Sequence, residues 1–494
     1  MDTNTVFAHE QSTNLRLKPD RGIHQRLMTA ASETALGKIS RYISSTRIEP
    51  SARSLEFVRD ALIDTYGCML IGADQAVARK THQALINCGQ INDHARACIY
   101  GTRYRAAPGA AAMANAVAGH ALEFDDWEVP GNTHISVVLF PAILAASCEH
   151  PLSGAEAINA YLAGYETIAR IGEAINLEHY DQGWHATATI GAIGVAAAVS
   201  RLLQLDCEQT TNALAIATSR ALGYNAQFGS EAKPLQVGFA VEGGIIAAHL
   251  AATGLSGQAH MLEHASGMVA LMGHRSFARI DHAMSRLGGI PAIDEYHIVF
   301  KPWPSCGYTH RIMTGMLELR ARGIDPASIN HLELHLPDMH AGILPFRQPA
   351  NQSQALFSLP YCAAMALLSG DLTITDIETE SWRREDVKQM IAKISVKGFK
   401  AKRPELNYDP EQPDRIVIES SGGSQLVEIP YPLGSPQKPM LEAQQFRKFQ
   451  LNASLGDAAA RQLWDRLRTW PQADNIHTLL APLAVTPDRE SLHN

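Results

Sequence analysis

Residues 121–136, ALEFDDWEVPGNTHIS, concentrate side chains that can do chemistry. Glu123, Asp125, Asp126 and Glu128 lie close together, and a Pro-Gly-Asn turn then leads to His134. Carboxylates at a helix end suit a hard cation that prefers oxygen ligands, and carboxylates beside a histidine suit proton transfer. Acids at a helix C-terminus oppose the helix dipole. This mismatch favours a functional or a hydrogen-bonded role over a plain solvated helix end.

A metal-dependent alternative rests on the acidic pair at 125–126, which resembles the aspartate-rich signature of helical terpene synthases. The third acid, Glu128, comes one residue early for that signature. The class also needs a second metal motif, and the nearest one starts with Asp371 and Thr375 but has Thr379 where an acid is required. Aromatic residues make up only 6% of the chain, too few for a carbocation pocket. We therefore expect no metal site.

Two further segments place a basic side chain at the start of a predicted helix. GWHATATIG (183–191) puts His185 where a glycine turn meets a helix, whose positive end favours the neutral imidazole. SEAKPLQVGFAVEGG (230–244) puts Lys233 before Pro234 and a helix of small residues, which fixes the position of the ammonium group. Taken alone, a helix-capping histidine and an exposed lysine explain these two segments equally well or better.

The segment IVFKPWPSCGYTH (298–310) carries three more reactive side chains. Lys301 lies between a short strand and a proline-stiffened loop, and functional groups often lie at such element boundaries. Cys306 and His310 could form a nucleophilic pair, hold zinc or simply pack together, and no third metal ligand is evident. In LFSLPYCAAMALLSG (356–370), Tyr361 in the first turn of a helix either donates to a substrate oxygen or fills the core.

The elements that must position these groups predict a mostly α protein, with a large all-helical domain and an inserted smaller α+β lid domain. Residues 1–31 are polar and aperiodic, which indicates a flexible tail. Residues 32–296 have helical periodicity, and residues 297–435 mix strands and helices. The C-terminal helices of 436–494 return to the first domain. Helices are expected at 54–73, 108–126, 154–175, 187–205, 308–322 and 357–369, strands at 297–300, 331–337 and 393–399, and a hairpin over 414–432.

Composition restricts the classes of partner. The 494 residues are 46% hydrophobic with a net charge of −8 and no basic stripe, so we expect no nucleic-acid partner. Seven scattered cysteines without a CxxC pair indicate a reducing compartment. The N-terminus lacks a signal-peptide pattern, and the apolar stretches near 186–200 and 243–254 are too weakly hydrophobic to span a bilayer. These features predict a soluble, cytoplasmic protein without a membrane partner.

Taken in order, these segments resemble the MmgE/PrpD family from about residue 35 to residue 465. The matching motifs are Glu-Phe-Asp-Asp…His, Gly-Trp-His, Lys-Pro before a Gly-rich helix, Lys-x-x-Pro…His and Ser-Leu-Pro-Tyr. The family contains 2-methylcitrate dehydratases, cis-aconitate decarboxylases and an iminodisuccinate epimerase, usually as homodimers with a helical domain and an α+β lid. The acid at 123 is often aspartate there, and Cys306 replaces a histidine of some decarboxylases.

The resemblance implies an active site and a type of reaction. Substrates of the family are small polycarboxylates, so lysines can hold their carboxylates while histidines carry a proton to or from an enolate-like intermediate. We therefore predict a lyase without metal or organic cofactor, since no Rossmann or P-loop pattern is present. An epimerase or isomerase of a dicarboxylate and a catalytically silent carboxylate-binding homodimer remain as alternatives. The predicted catalytic residues are Glu123, His134, His185 and Tyr361, and the predicted substrate-binding residues are Lys233, Lys301, Cys306 and His310.

Overall fold

The computed structural model describes residues 30–45, 47–92, 94–273 and 277–480. All but the last two residues of the predicted tail at 1–31 lie outside these ranges. The helical domain contains α1 (Ala35–Ser45), α2 (Ala52–Gly72), α3 (Ala76–Asn87), α4 (Pro108–His120), α5 (Ile135–Ala146), α6 (Gly154–Ile175), α7 (Ala186–Leu202), α8 (Cys207–Thr218), α9 (Ala232–Ala252) and α10 (Phe277–Ser285). The prediction of a mostly α fold is confirmed.

Small residues allow the central helices to pack closely, as their Ala- and Gly-rich sequences predict. Helix α7 packs against α5, α6, α8 and α9, and its residues 186–200 are all buried. A Cβ atom added to Gly164 of α6 would lie 3.0 Å from the carbonyl oxygen of Gly194 of α7. A larger residue at 164 would therefore push the two backbones apart.

The lid domain is built on a four-stranded sheet in the order β4-β3-β5-β6. Its strands are β3 (Ile329–Pro337), β4 (Ile394–Phe399), β5 (Asp414–Ser420) and β6 (Gly423–Ile429), with β3 parallel to β4 and the other neighbours antiparallel. Helices α11 (His310–Ala321), α12 (Leu359–Ser369) and α13 (Glu385–Ala392) follow in the same unit, and α11 packs on β5 and β6. The strands predicted at 331–337 and 393–399 and the hairpin over 414–432 are confirmed.

The C-terminal helices α14 (Glu442–Ala453) and α15 (Asp457–Leu467) lead back to the helical domain. Helix α14 packs on α2, and its buried Lys448 has its Nζ 2.6 Å from a carboxylate oxygen of Asp64. The same ammonium donates to the carbonyl oxygen of Phe124 at 2.7 Å. The returning helix therefore ties down the chain next to Glu123.

The shorter elements complete the architecture. They are Ala31–Glu33, Glu178–Asp181, Asn225–Gln227, Met268–Met272, Ala292–Tyr296, Gly307–Thr309, Pro326–Ser328, Asp338–Ile343, Gln352–Ala355, Ile374–Glu378, Ser381–Arg383, Trp470–Gln472 and Ile476–Leu480. The first domain is not purely helical, because β1 (Ala97–Cys98) pairs with β2 (Arg105–Ala106). Within the described residues, one helix, α9, is long and apolar enough to cross a membrane, and a core helix of a soluble protein meets the same test. Here α9 packs against α4, α7 and α8.

Two boundaries differ from the sequence prediction in ways that matter for the site. Helix α4 ends at His120 rather than at residue 126, so the acids from Glu123 onward lie in a loop. Residues 297–300 form only an isolated bridge, in which Val299 pairs with Trp127. The bridge joins the acidic loop to the segment that leads into Lys301.

Candidate active site

Three helix N-termini meet at one pocket. His134 is the N-cap residue of α5, His185 is the N-cap residue of α7, and Lys233 lies in the first turn of α9. Free backbone N–H groups and the helix dipole make such ends favourable for anions. The cavity between them measures about 30 Å³. Its lining residues are Glu123, Trp127, Asn132, His134, Tyr180, His185, Thr187, Phe228, Lys233, Lys301, Cys306, Gly307, Tyr308 and Phe357.

Glu123 lies between the two lysines of this pocket. Lys301 Nζ donates to the Glu123 carbonyl oxygen at 2.9 Å and lies 3.4 Å from Glu123 Oε2, while Lys233 Nζ donates to Glu123 Oε1. Burial opposes ionisation of Glu123, but Lys233, His120 and Lys301 outweigh it and hold the pKa of this carboxyl below its usual range. Its φ of 52° lies in the left-handed region, where a non-glycine residue is strained. The fold therefore holds this carboxylate against both ammonium groups at a cost in backbone energy.

His120 is a site residue that the sequence analysis missed. Its Nδ1 lies 2.8 Å from Asp125 Oδ2 and its Nε2 lies 2.6 Å from Lys233 Nζ. Its ring centroid is 4.4 Å from that of His134 and 6.1 Å from that of His185. The available signal was its position three residues before Glu123, at the end of the helix that leads into the acidic loop.

The two predicted histidines line the same pocket. His134 Nδ1 is 3.1 Å from Asp125 Oδ2, and His185 Nδ1 is 2.8 Å from Gln236 Oε1. Burial, reinforced by Lys301 and His120, lowers the pKa of His134 to about 3 despite the opposing charge of Asp125. Burial and the charge of Lys233 hold the pKa of His185 well below its usual range. Both imidazoles are therefore neutral near pH 7 and able to accept a proton.

The acids of the opening segment have separate roles. Asp125 contacts both His120 and His134, which explains its burial. Asp126 Oδ1 accepts a hydrogen bond from the backbone N–H of Ser136 in α5. Glu128 accepts hydrogen bonds from the backbone N–H groups of the turn at 131–133. These contacts confirm a hydrogen-bonded role and shape the turn that delivers His134.

Two predicted site residues lie elsewhere. The Tyr361 hydroxyl is 2.8 Å from Ser381 Oγ, and its ring packs edge-on against Trp382 inside the lid domain. His310 Nε2 is 3.1 Å from Ser305 Oγ. Neither residue is among those that line the pocket. The geometry therefore corrects the assignment of Tyr361 as catalytic and of His310 as substrate-binding.

Cys306 does line the pocket. Burial, together with the nearby charge of Glu123, raises the pKa of its thiol to about 11. The thiol is therefore neutral near pH 7, which argues against a nucleophilic role and leaves a contact with substrate.

Asn407 of the lid closes over the turn that carries His134. Its Nδ2 donates to the carbonyl oxygen of Val129 at 3.1 Å, and its Oδ1 accepts from the Tyr308 hydroxyl at 3.1 Å. The same hydroxyl accepts from Asn132 Nδ2 at 3.0 Å. The lid and the helical domain thus share one polar network at the edge of the pocket.

We expect Asn407→Ala to destabilise the protein by about 1–3 kcal/mol, because the substitution leaves buried polar partners unsatisfied. Thermal and urea unfolding would measure the change. Asn407→Asp keeps the acceptor for Tyr308 but loses the donor to Val129, and serves as the matched variant. Unfolding curves of Asn407→Ala that coincide with the wild type would show that this network does not hold the lid.

Among the described residues, His120, Asp125 and His134 could together hold a metal ion, since their donor atoms lie within 4.8 Å of one another. We interpret this group as a hydrogen-bonded network. Asp125 already accepts from His120, and the ammonium of Lys233 lies 2.6 Å from His120 Nε2, where it repels a dication. The absence of a metal from this site stays a prediction.

Comparison with known proteins identifies the class. Residues 37–279 match the family model of the MmgE/PrpD N-terminal domain, and residues 303–471 match that of the MmgE/PrpD C-terminal domain. The chain belongs to the MmgE/PrpD family, as the five sequence segments predicted, and the prediction of a lyase is confirmed. Membership in this family also rules against the terpene synthase alternative.

The similar curated proteins share one description. The chain is 28% identical to a cis-aconitate decarboxylase of Mus musculus over 371 residues, which cover 71% of this chain and 73% of that protein. It is 26% identical to a cis-aconitate decarboxylase of Aspergillus terreus over 407 residues, which cover 77% and 81%. A cis-aconitate decarboxylase-like protein of Aspergillus oryzae is 28% identical over 254 residues, 49% of this chain and 52% of its own length.

Proposed function

We propose that the protein is a cofactor-free lyase that decarboxylates a small polycarboxylic acid of the citrate/aconitate type, with cis-aconitate as the first candidate. One observation carries the proposal. Two buried lysines, Lys233 and Lys301, meet two neutral imidazoles, His134 and His185, in a single pocket. Cations that hold carboxylates beside groups that move protons are what decarboxylation of such an acid requires. The similarity to proteins described as cis-aconitate decarboxylases supports the same reaction.

The reaction follows from the charges of the pocket. Carboxylates of the substrate replace Glu123 as partners of Lys233 and Lys301. When the carbon–carbon bond breaks, CO₂ leaves and the electron pair stays on an enolate-like intermediate, which the ammonium groups stabilise. One proton then adds to carbon, so each CO₂ released consumes one proton. The ammonium of Lys233 is the source of this proton, and His134 and His185, which line the same pocket, pass it to the carbon of the substrate.

A panel of acids tests the proposal. Purified protein is incubated separately with citrate, 2-methylcitrate, cis-aconitate and trans-aconitate, and CO₂ release and ultraviolet absorbance are followed. We expect CO₂ from an aconitate. Water loss from a hydroxy acid without CO₂ would identify a dehydratase instead, and binding without turnover of any acid would favour the silent carboxylate-binding protein.

Exhaustive treatment with EDTA is expected to leave turnover unchanged. The reason is that His120 and Asp125 hydrogen bond to each other and Lys233 lies beside them, which leaves little attraction for a dication. Turnover before and after chelation is compared, with metal content measured by mass spectrometry. Activity that is lost with EDTA and restored by Mg²⁺ or Zn²⁺ would contradict the cofactor-free assignment.

We also propose that the protein is a homodimer that pairs through an exposed apolar face of α9. Phe239, Ile246 and Leu250 lie on one side of this helix and are 48%, 52% and 38% exposed. Leu222, which precedes the helix in the chain, and Leu255, which follows it, are also exposed, at 56% and 49%. Exposed apolar surface is typical of protein interfaces, and the family resemblance implies a second copy as its partner.

A charged residue in this face should separate the subunits. We expect Phe239→Lys combined with Ile246→Lys to convert a dimer into a monomer, because two charges would be buried without partners. Sedimentation equilibrium measures the mass, and Leu441→Lys, at an exposed leucine elsewhere, is the control. A wild-type monomer, or a double variant that still dimerises, would refute this interface.

A further inference from the structure

A second cavity lies on the other side of the Glu123–Lys233 ion pair. Glu123, Lys233 and Phe357 line both this side cavity and the substrate pocket, so they form the wall between them. The side cavity measures about 40 Å³. Its polar lining residues include Gln75, His120, Ser230, Gln352 and Ser353. A cavity of this size with several polar groups in its wall is large enough to hold water.

His120 connects this cavity to the pocket. It lines the side cavity but not the substrate pocket, and its Nε2 lies 2.6 Å from Lys233 Nζ. Its Nδ1 is held by Asp125 at 2.8 Å, so Nε2 is the nitrogen that exchanges a proton with Lys233. A proton placed on Nε2 gives an imidazolium that Asp125 stabilises, and 2.6 Å is short enough for transfer to the amine of Lys233.

Decarboxylation needs a supply of protons to the active site, because one proton is bound to carbon for each CO₂ lost. A protonated Lys233 can give that proton on the pocket side and then carries a neutral amine. A bound substrate would occupy the pocket side of this amine, where Phe228 and Phe357 also lie, with ring centroids 4.9 Å and 5.5 Å from Lys233 Nζ. The side cavity reaches the Lys233 amine from the side opposite the substrate pocket.

The two domains meet at the side cavity, because Gln75 and Gln352 both line it. Gln352 Nε2 donates to Gln75 Oε1 at 2.7 Å, and Gln75 Nε2 donates to Glu378 Oε1 at 3.1 Å. Gln75 precedes α3 of the helical domain, whereas Gln352 and Glu378 belong to the lid. The cavity wall at this junction is thus built from neutral amides, with an acid next to them.

We propose that the side cavity is the proton entry route of the active site. Water in the cavity protonates His120 at Nε2, and His120 passes this proton to the neutral amine of Lys233 after Lys233 has donated its own proton towards the substrate. The inference rests on the proposed decarboxylation. It assigns His120 as a positioning and relay residue that does not touch the substrate.

Chemical rescue with imidazole tests the route. His120→Ala opens a space the size of an imidazole next to Lys233, and added imidazole should enter it from the side cavity. We expect turnover of His120→Ala to fall at least tenfold and to rise again with imidazole concentration. Filling the cavity with Ser353→Phe should abolish the rescue in the double variant. Ser353 is only half-buried, which makes the larger side chain tolerable, and Ser256→Phe at an exposed serine is the matched control.

A second measurement does not depend on turnover. Calorimetry should detect imidazole binding to His120→Ala and not to the wild type or to the double variant with Ser353→Phe. His82→Ala, which removes a buried histidine that lines neither cavity, should show no rescue. An active wild type whose His120→Ala variant is folded but neither binds imidazole nor is rescued by it would overturn the route. A wild type without turnover on any acid would refute the proposed function, while the binding measurement would still decide whether the cavity leads to His120.

Discussion

Replacing His134 or His185 by glutamine lowers turnover by about 10²–10⁴-fold while the affinity for the acid changes much less. Glutamine keeps most of the volume and the hydrogen bonding of histidine but cannot transfer a proton. Both imidazoles line one pocket and are neutral near pH 7, so each has a free ring nitrogen through which a proton can pass to the substrate. Steady-state kinetics give kcat and KM, and calorimetry with a slow variant gives the affinity.

The control for these variants is His310→Gln, because His310 is buried in the lid outside the pocket. We expect it to alter stability more than kcat. Full turnover by both His134→Gln and His185→Gln would contradict the assigned roles. Proton transfer would then have to involve Lys233 alone.

Lys233→Ala and Lys301→Ala are expected to weaken substrate binding and to lower kcat/KM by the equivalent of about 1.5–3 kcal/mol for each lost contact. The reason is that each ammonium loses a charge-assisted hydrogen bond to a substrate carboxylate. These substitutions are also expected to affect stability, because both lysines are buried against Glu123. Removing either one leaves part of a buried carboxylate unpaired, which destabilises the fold.

A second substitution separates the two effects. Glu123→Gln in the Lys233→Ala background removes the charge that has lost Lys233, while Lys301 keeps its hydrogen bond to the backbone carbonyl oxygen at 123. The unfolding temperature should therefore rise partway to the wild-type value without recovery of kcat/KM. Lys388→Ala, at an exposed lysine of the lid, controls for the loss of a positive charge. Wild-type kinetics in both single lysine variants would show that these residues do not bind the substrate.

Much of the site could be predicted from short segments, because each active group lies at an element boundary that leaves a local signal. Gly183 before His185 and Pro234 after Lys233 mark helix starts, and the structure places both residues at those starts. The strands of the lid are predictable for a similar reason. Leu332, Leu334 and Leu336 alternate with polar residues and are buried on one face of β3.

The other features of the site depend on contacts between residues far apart in the sequence, which no single segment reveals. His120 is surrounded by alanine and glycine in a buried helix, and its role becomes visible only when Lys233, 113 residues away, reaches it. Tyr361 had the expected position in the first turn of its helix, but the direction of that turn is set by packing against Trp382. The sequence predicts that helix α4 continues to residue 126, whereas it ends at His120. The pattern of small residues in 108–120 does not show where the helix stops.

The measurement that tests the central claim most directly is the reaction of EDTA-treated protein with cis-aconitate in D₂O, followed by proton NMR and by quantification of CO₂. The account predicts one CO₂ released and one deuterium bound to carbon in the dicarboxylate product for each substrate consumed, with no metal added. Unchanged cis-aconitate, or a requirement for added metal, would contradict a cofactor-free decarboxylase.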